Sequence, residues 1–103
     1  ASLAGTKTAP QASARVAYDR ASGRALLLAY GLPPAPAGKA YQLWFIADGK
    51  PLPGGVFKTD DRGHARLSDR LPAATPAAFA VTLEEERGEQ TPKGDMYLRS
   101  AAS

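Results

Sequence analysis

"AYQLWFIADGKPLPGGVF", residues 40–57, decides the fold. It contains the only Trp, two of the three Phe, two of the nine Pro and three of the ten Gly. Asp48-Gly49 between two apolar runs is the strongest short-range signal for a β-hairpin closed by a type I′ turn. A two-residue loop sets the register. Ala47 faces Lys50, Ile46 faces Pro51, Phe45 faces Leu52 and Trp44 faces Pro53. Bonded and non-bonded pairs alternate along an antiparallel ladder. With Ala47–Lys50 bonded, Pro51 and Pro53 both fall at non-bonded positions, where their missing N–H is not required. The second run therefore reads as an edge strand whose prolines block further pairing. Gly54-Gly55 reads as a bulge that bends it before Val56 and Phe57 rejoin the core.

The first run, residues 40–47, is apolar on both faces. Tyr41, Leu43 and Phe45 line one, and Gln42, Trp44 and Ile46 the other. One face is expected to fill a core. The other is expected to be partly covered by prolines or by the "PPAPAG" loop, residues 33–38, with Trp44 stacked on Pro53.

Working outward, turn signals recur at strand-like spacing. Strands are expected at 15–18, 24–30, 40–47, 50–58, 64–71, 78–85 and 95–99. "DRASG", "GLPPAPAG", "DDRG" and "PAATP" connect them. In residues 78–85 the alternation places Phe79, Val81 and Leu83 inward and Ala80, Thr82 and Glu84 outward. Residues 1–13 are open between a short extra strand near Leu3 and a stalk. Helical spacing is nowhere sustained, and prolines interrupt the Ala-rich stretches. The expectation is an all-β chain: an antiparallel β-sandwich of about seven to eight strands, immunoglobulin-like in general architecture, forming a single domain over residues 1–103.

A chain of 103 residues can bury a modest core without staples. It has no Cys, which removes disulfides, thiolate metal sites and Cys nucleophiles. The net charge of +3 is mild and the basic residues are scattered along the sequence, unlike a nucleic-acid binder. The longest apolar run, residues 25–30, is too short to cross a bilayer. A chain that opens on Ala1 is expected to be a mature form or a piece of a longer protein.

Candidate chemistry is sparse. His64, the sole His, sits in a turn beside Asp60 and Asp61, a weak set of ligands without Cys. A triad would need His64 with Ser2, Ser13, Ser22, Ser68, Ser100 or Ser103, and none lies in a nucleophile-elbow sequence. The run "EEERGE", residues 84–89, reads as a solvated hairpin loop. Trp44 with Tyr18, Tyr30, Tyr41 and Tyr97 would give a carbohydrate- or peptide-binding face if they shared one. The residues themselves point away from an enzyme and call for no metal or cofactor.

The opening stretch resembles the C-terminal, extracytoplasmic domain of the anti-sigma-K factor family. So do "ARVAYDRASGRALLLAYGLPPAPAGKAYQLW" and "AFAVTLE" followed by "TPKG". The signature is carried by Tyr41, Gln42, Leu43, Trp44, Asp48, Gly49, Pro53, Gly55, Val56, Phe57, Phe79 and Val81. After Glu84 the chain departs from the family pattern, with "EEERGEQ" where a Pro and a Gly-Gly-Ser segment are usual. The resemblance implies a regulator: the outer domain of a single-pass bacterial membrane protein. A cytoplasmic domain absent from this sequence would hold the sigma factor, and an upstream helix would tether the protein to the membrane. Signalling would run through a site-one type protease or an extracytoplasmic partner. The alternative is a cell-surface carbohydrate- or peptide-binding β-sandwich.

Overall fold

The computed structural model describes residues 1–100. The order is β1 (Ser2–Gly5), β2 (Ser13–Asp19), β3 (Arg24–Tyr30), β4 (Lys39–Ala47), β5 (Lys50–Phe57), β6 (Ala65–Arg70), β7 (Ala78–Glu85) and β8 (Met96–Ser100). No helix occurs among the described residues, and so none long and apolar enough to cross a membrane.

The β4–β5 hairpin has the register that its turn dictates: Ala47 opposite Lys50, Ile46 opposite Pro51, Phe45 opposite Leu52 and Trp44 opposite Pro53. Asp48 and Gly49 have φ of 52° and 73°, the two positive values of a type I′ turn. Beyond Pro53 the ladder shifts, so that Gln42 faces Val56 and Gly54-Gly55 together stand opposite Leu43. That is a bulge at the expected place.

All eight strands pair antiparallel in one sheet, in the order β5-β4-β7-β8-β1-β2-β3-β6. The two layers of the expected sandwich are the two halves of this sheet, which curls until it is nearly a barrel. Its two outermost strands meet at the bulge, where the Gly55 N–H donates to Asp69 Oδ2 at 2.7 Å. Strand alternation fills the interior. Ala14 and Val16 of β2, Ala25, Leu27 and Ala29 of β3, Tyr41, Leu43 and Phe45 of β4, Phe79 and Val81 of β7, and Leu98 of β8 form one buried cluster. Phe45 and Phe79 meet edge to face at 5.9 Å, and Tyr41 stacks on Phe57 at 5.8 Å.

The first thirteen residues are strand and packed loop, not stalk. β1 lies in mid-sheet, paired with β8 on one side and β2 on the other. Leu3, Ala9 and Ala12 are buried, and the Ala1 ammonium donates to the Val16 carbonyl at 2.7 Å. The 31–38 loop does not cover Trp44. It closes one end of the interior instead, burying Leu32 and packing Ala35 on the core, while the Pro33 carbonyl accepts from the Tyr41 hydroxyl.

Burial, reinforced by Tyr97, pushes the Tyr41 phenol up to about 12 from its usual 10.0. A raised pKa means that, above about pH 10, the unfolded chain loses this proton while the folded chain keeps it. Stability from this group is complete below pH 10 and falls as pH rises towards 12. Denaturant midpoints measured from pH 8 to 12 should show that decline, and Tyr41→Phe should flatten it.

Candidate functional site

The outer face of β4 and β7 is where the structure departs most from the reading of the sequence. Ala80, Thr82 and Glu84 point away from the core as expected, yet all three are buried, as are Gln42 and Trp44 on the adjacent strand. The register explains the grouping: Trp44 lies opposite Ala80, Gln42 opposite Thr82 and Ala40 opposite Glu84. The cover is the 86–95 segment, which begins within the 84–89 run expected to be a solvated hairpin loop. It folds back over the sheet because this face offers it hydrogen-bond partners.

A chain of donors converges on one carboxylate. The Trp44 indole N–H donates to Thr82 Oγ1 at 2.7 Å, and the Thr82 hydroxyl donates to Glu84 Oε2 at 2.6 Å. From the other side, the backbone N–H groups of Lys93 and Gly94 donate to the same oxygen, each at 3.1 Å. Glu84 is 3% exposed, and no cation lies within ion-pair distance of it among the described residues. The buried carboxyl group is therefore satisfied by hydrogen bonds from neutral groups, the arrangement that makes such burial tolerable.

Gln42 anchors the loop a second time. Its amide oxygen accepts from the Glu89 N–H at 2.9 Å, and its NH₂ donates to the Glu89 carbonyl at 3.1 Å and the Gly54 carbonyl at 3.2 Å. The Glu89 carboxylate in turn pairs with Arg87 and Lys93, each at 3.1 Å. At Gly94 the loop comes so close that a Cβ would stand 1.7 Å from the Leu83 carbonyl oxygen, so only glycine fits. More exposed pairs, Lys39–Glu85 at 2.6 Å and Lys58–Glu86, add little to stability.

Chemically, this face is a latch that fixes a loop. Every polar group described here has a partner. Glu84→Gln keeps the shape but replaces one acceptor oxygen by a donor, which then faces N–H or O–H groups. It should cost about 1–3 kcal/mol, the range for orphaning buried donors. A denaturant midpoint unchanged by that substitution would contradict the latch.

The remaining candidates fall apart in space. His64 is exposed and its ring meets Tyr30 edge-on at 5.2 Å, while its backbone N–H donates to Asp60 Oδ1 at 2.9 Å. That bond, with a second from the Arg62 N–H, holds the Asp60 carboxyl below its usual range. Ser68 accepts from Arg24, Ser100 Oγ accepts from the Phe79 N–H, and Ser22 donates to the Asp19 carbonyl. Ser103 lies outside the described residues. No group of three or more His, Asp or Glu is placed to hold a metal ion together among the described residues. Nor is there a shared aromatic face. Trp44 and Tyr41 are buried, Tyr97 packs on Tyr41, Tyr18 reaches Phe79 at 5.9 Å, and Tyr30 stands apart with His64. Of the signature residues, Tyr41, Leu43, Phe57, Phe79 and Val81 belong to the core. Gln42 and Trp44 belong to the latch. Asp48, Gly49, Pro53, Gly55 and Val56 shape the hairpin that borders it.

The signature, the hairpin and the whole sheet up to the start of β8 fall within residues 1–96, which match the family model described as anti-sigma-K factor rskA, C-terminal. The chain belongs to the anti-sigma-K factor C-terminal family. A protein of Streptomyces griseus, described as an uncharacterized protein in the phr 5′ region, is 30% identical over 80 residues, 78% of this chain and 33% of its own length. The anti-sigma-K factor C-terminal domain thus spans about a third of that relative. No solved structure matches it. The family is regulatory, acting on sigma factors, and is not typically enzymatic.

Proposed function

We propose that residues 1–103 form a single extracytoplasmic domain of a membrane-anchored anti-sigma factor, and that its folded state protects the membrane tether from a site-one type protease. The supporting observation is the family match over residues 1–96, covering nearly the whole chain. Since β1 is paired on both sides, the protected tether is assigned to the chain before Ala1. The sigma factor is engaged by a cytoplasmic domain outside this sequence, and no catalytic role is assigned to this one. An extracytoplasmic signal would act by loosening the fold, and the marginal stability of small domains makes that a workable switch.

Gly49→Val in the full-length protein tests this reading. The turn needs positive φ at residue 49, which a β-branched residue resists at about 1–3 kcal/mol. Cleavage by the protease should accelerate, and the sigma-dependent genes should switch on without the usual signal. Unchanged cleavage, despite a measured fall in stability, would leave the domain as a docking module.

A further inference from the structure

The basic residues that are scattered in sequence are not scattered in space. On β2, β3 and β6 the inward positions are small or apolar apart from Tyr18 and from Asp69, which is held by the Gly55 N–H, so the outer face is set by the alternate positions. The β2–β3 and β3–β6 registers lay these out in rows: Arg15, Leu28 and Arg66; then Ala17, Leu26 and Ser68; then Asp19, Arg24 and Arg70. Arg15, Arg24, Arg66 and Arg70 are all exposed, and among the described residues none is in an ion pair. The four ion pairs among the described residues all involve the acidic residues 85, 86 and 89 at the far half of the sheet. Asp19 is the sole acidic residue in these rows, and its Oδ1 already accepts from the Ala21 N–H.

Between the arginines the surface is recessed and more apolar than polar, with Asp19 and Asp60 each lining one part of it. Leu26 and Leu28 are half-buried. Two shallow depressions flank Arg66. One, of about 340 Å³, includes Leu26, Arg24 and Ser68, and the other, of about 270 Å³, includes Leu28, Tyr30 and His64. Neighbouring strands are about 4.8 Å apart and alternate residues about 6.8 Å, so Arg15 and Arg66 stand roughly 10 Å apart across Leu28. Arginines rooted at that backbone spacing can reach carboxylates presented on either side of an apolar anchor.

We propose that this face docks an acidic polypeptide, one that seats aliphatic or aromatic side chains in the two depressions and sets carboxylates against Arg15, Arg66, Arg24 and Arg70. The recessed leucines favour a polypeptide over an anionic membrane, because a flat headgroup layer cannot reach below the arginine tips. A second copy of this chain is a poor occupant. Its Glu85, Glu86 and Glu89 already hold lysines and arginine of their own, its Glu84 is buried, and its exposed Asp48, Asp61 and Asp95 lie on three separate loops rather than in one acidic stretch. The face would serve equally in a domain that guards a tether and in one that does not.

A library of random twelve-residue peptides displayed on phage, panned against the purified chain, tests the proposal. Enriched peptides should carry net negative charge with apolar residues between the acids, and their affinity should fall as salt rises. Arg15→Glu/Arg66→Glu should weaken the best synthetic peptide roughly tenfold or more, with an unchanged thermal midpoint. Lys50→Glu, on the β4–β5 hairpin, should change it less than about twofold. Three outcomes would overturn the proposal: no enrichment, enrichment of neutral or basic peptides, or binding indifferent to the double reversal. So would binding to phosphatidylglycerol vesicles, dependent on the same arginines, that outcompetes the peptides.

Discussion

Phe79→Asp is expected to leave the domain unfolded at ambient temperature. Phe79 is 3% exposed and its ring meets both Phe45 and Tyr18 at 5.9 Å. Removing the ring costs about 3–5 kcal/mol. The carboxylate that replaces it enters an interior with no cation among the clustered residues, at a further cost of several kcal/mol. A domain of this size has roughly 5–15 kcal/mol of stability in all, so the two losses together are comparable with the whole. Circular dichroism and amide exchange should show loss of cooperative structure. A native-like exchange pattern in this variant would mean that β7 does not face the core as described. In the full-length protein the same substitution is the extreme case of the tether test, with constitutive cleavage as the expected result.

Trp44→Ala should be the next most damaging change, and for a different reason. The side chain is fully buried, outside the main cluster, on the face of the sheet that carries Gln42, Thr82 and Glu84. Its removal costs about 3–5 kcal/mol in packing and leaves Thr82 Oγ1 without its donor. Damage should spread along the latch: amides of Glu89, Lys93 and Gly94 should lose exchange protection well before those of β2 and β3. Uniform loss of protection across all strands would instead place Trp44 in the common core. The native indole should emit as a buried fluorophore.

Much of the fold is legible because its signals are local. Asp48-Gly49 demands a particular turn, the turn demands a register, and the register makes Pro51 and Pro53 harmless and Gly54-Gly55 a bulge. β3 and β7 run over 24–30 and 78–85, the bounds that alternation sets. What resisted reading depends on contacts distant in sequence. Thr82 and Glu84 alternate with Val81 and Leu83 as solvent-facing residues do. Only the 86–95 segment, folded back on them, makes them interior. One clue was available: Trp44 shares their face of the sheet, and so large an apolar group calls for a cover. β1 was hard to see because four residues, SLAG, carry little periodicity of their own. Its partners supply its stability. The arginine face was hidden for the same reason, since its residues come from three strands spread over residues 13–70.

The place of β1 has a mechanical consequence. A strand at the edge of a sheet can be peeled off one bond at a time, but β1 has a neighbour on each side. Traction on Ala1 along the strand loads both ladders together, in shear, and adds the ammonium bond to the Val16 carbonyl. Once β1 slides out, the strand ladder is severed into β5-β4-β7-β8 and β2-β3-β6, whose edges then meet only where β5 touches β6. Four N-terminal residues are thus the keystone of the arch. Force arriving from that direction meets stiff resistance and then abrupt collapse, with no gradual fraying between.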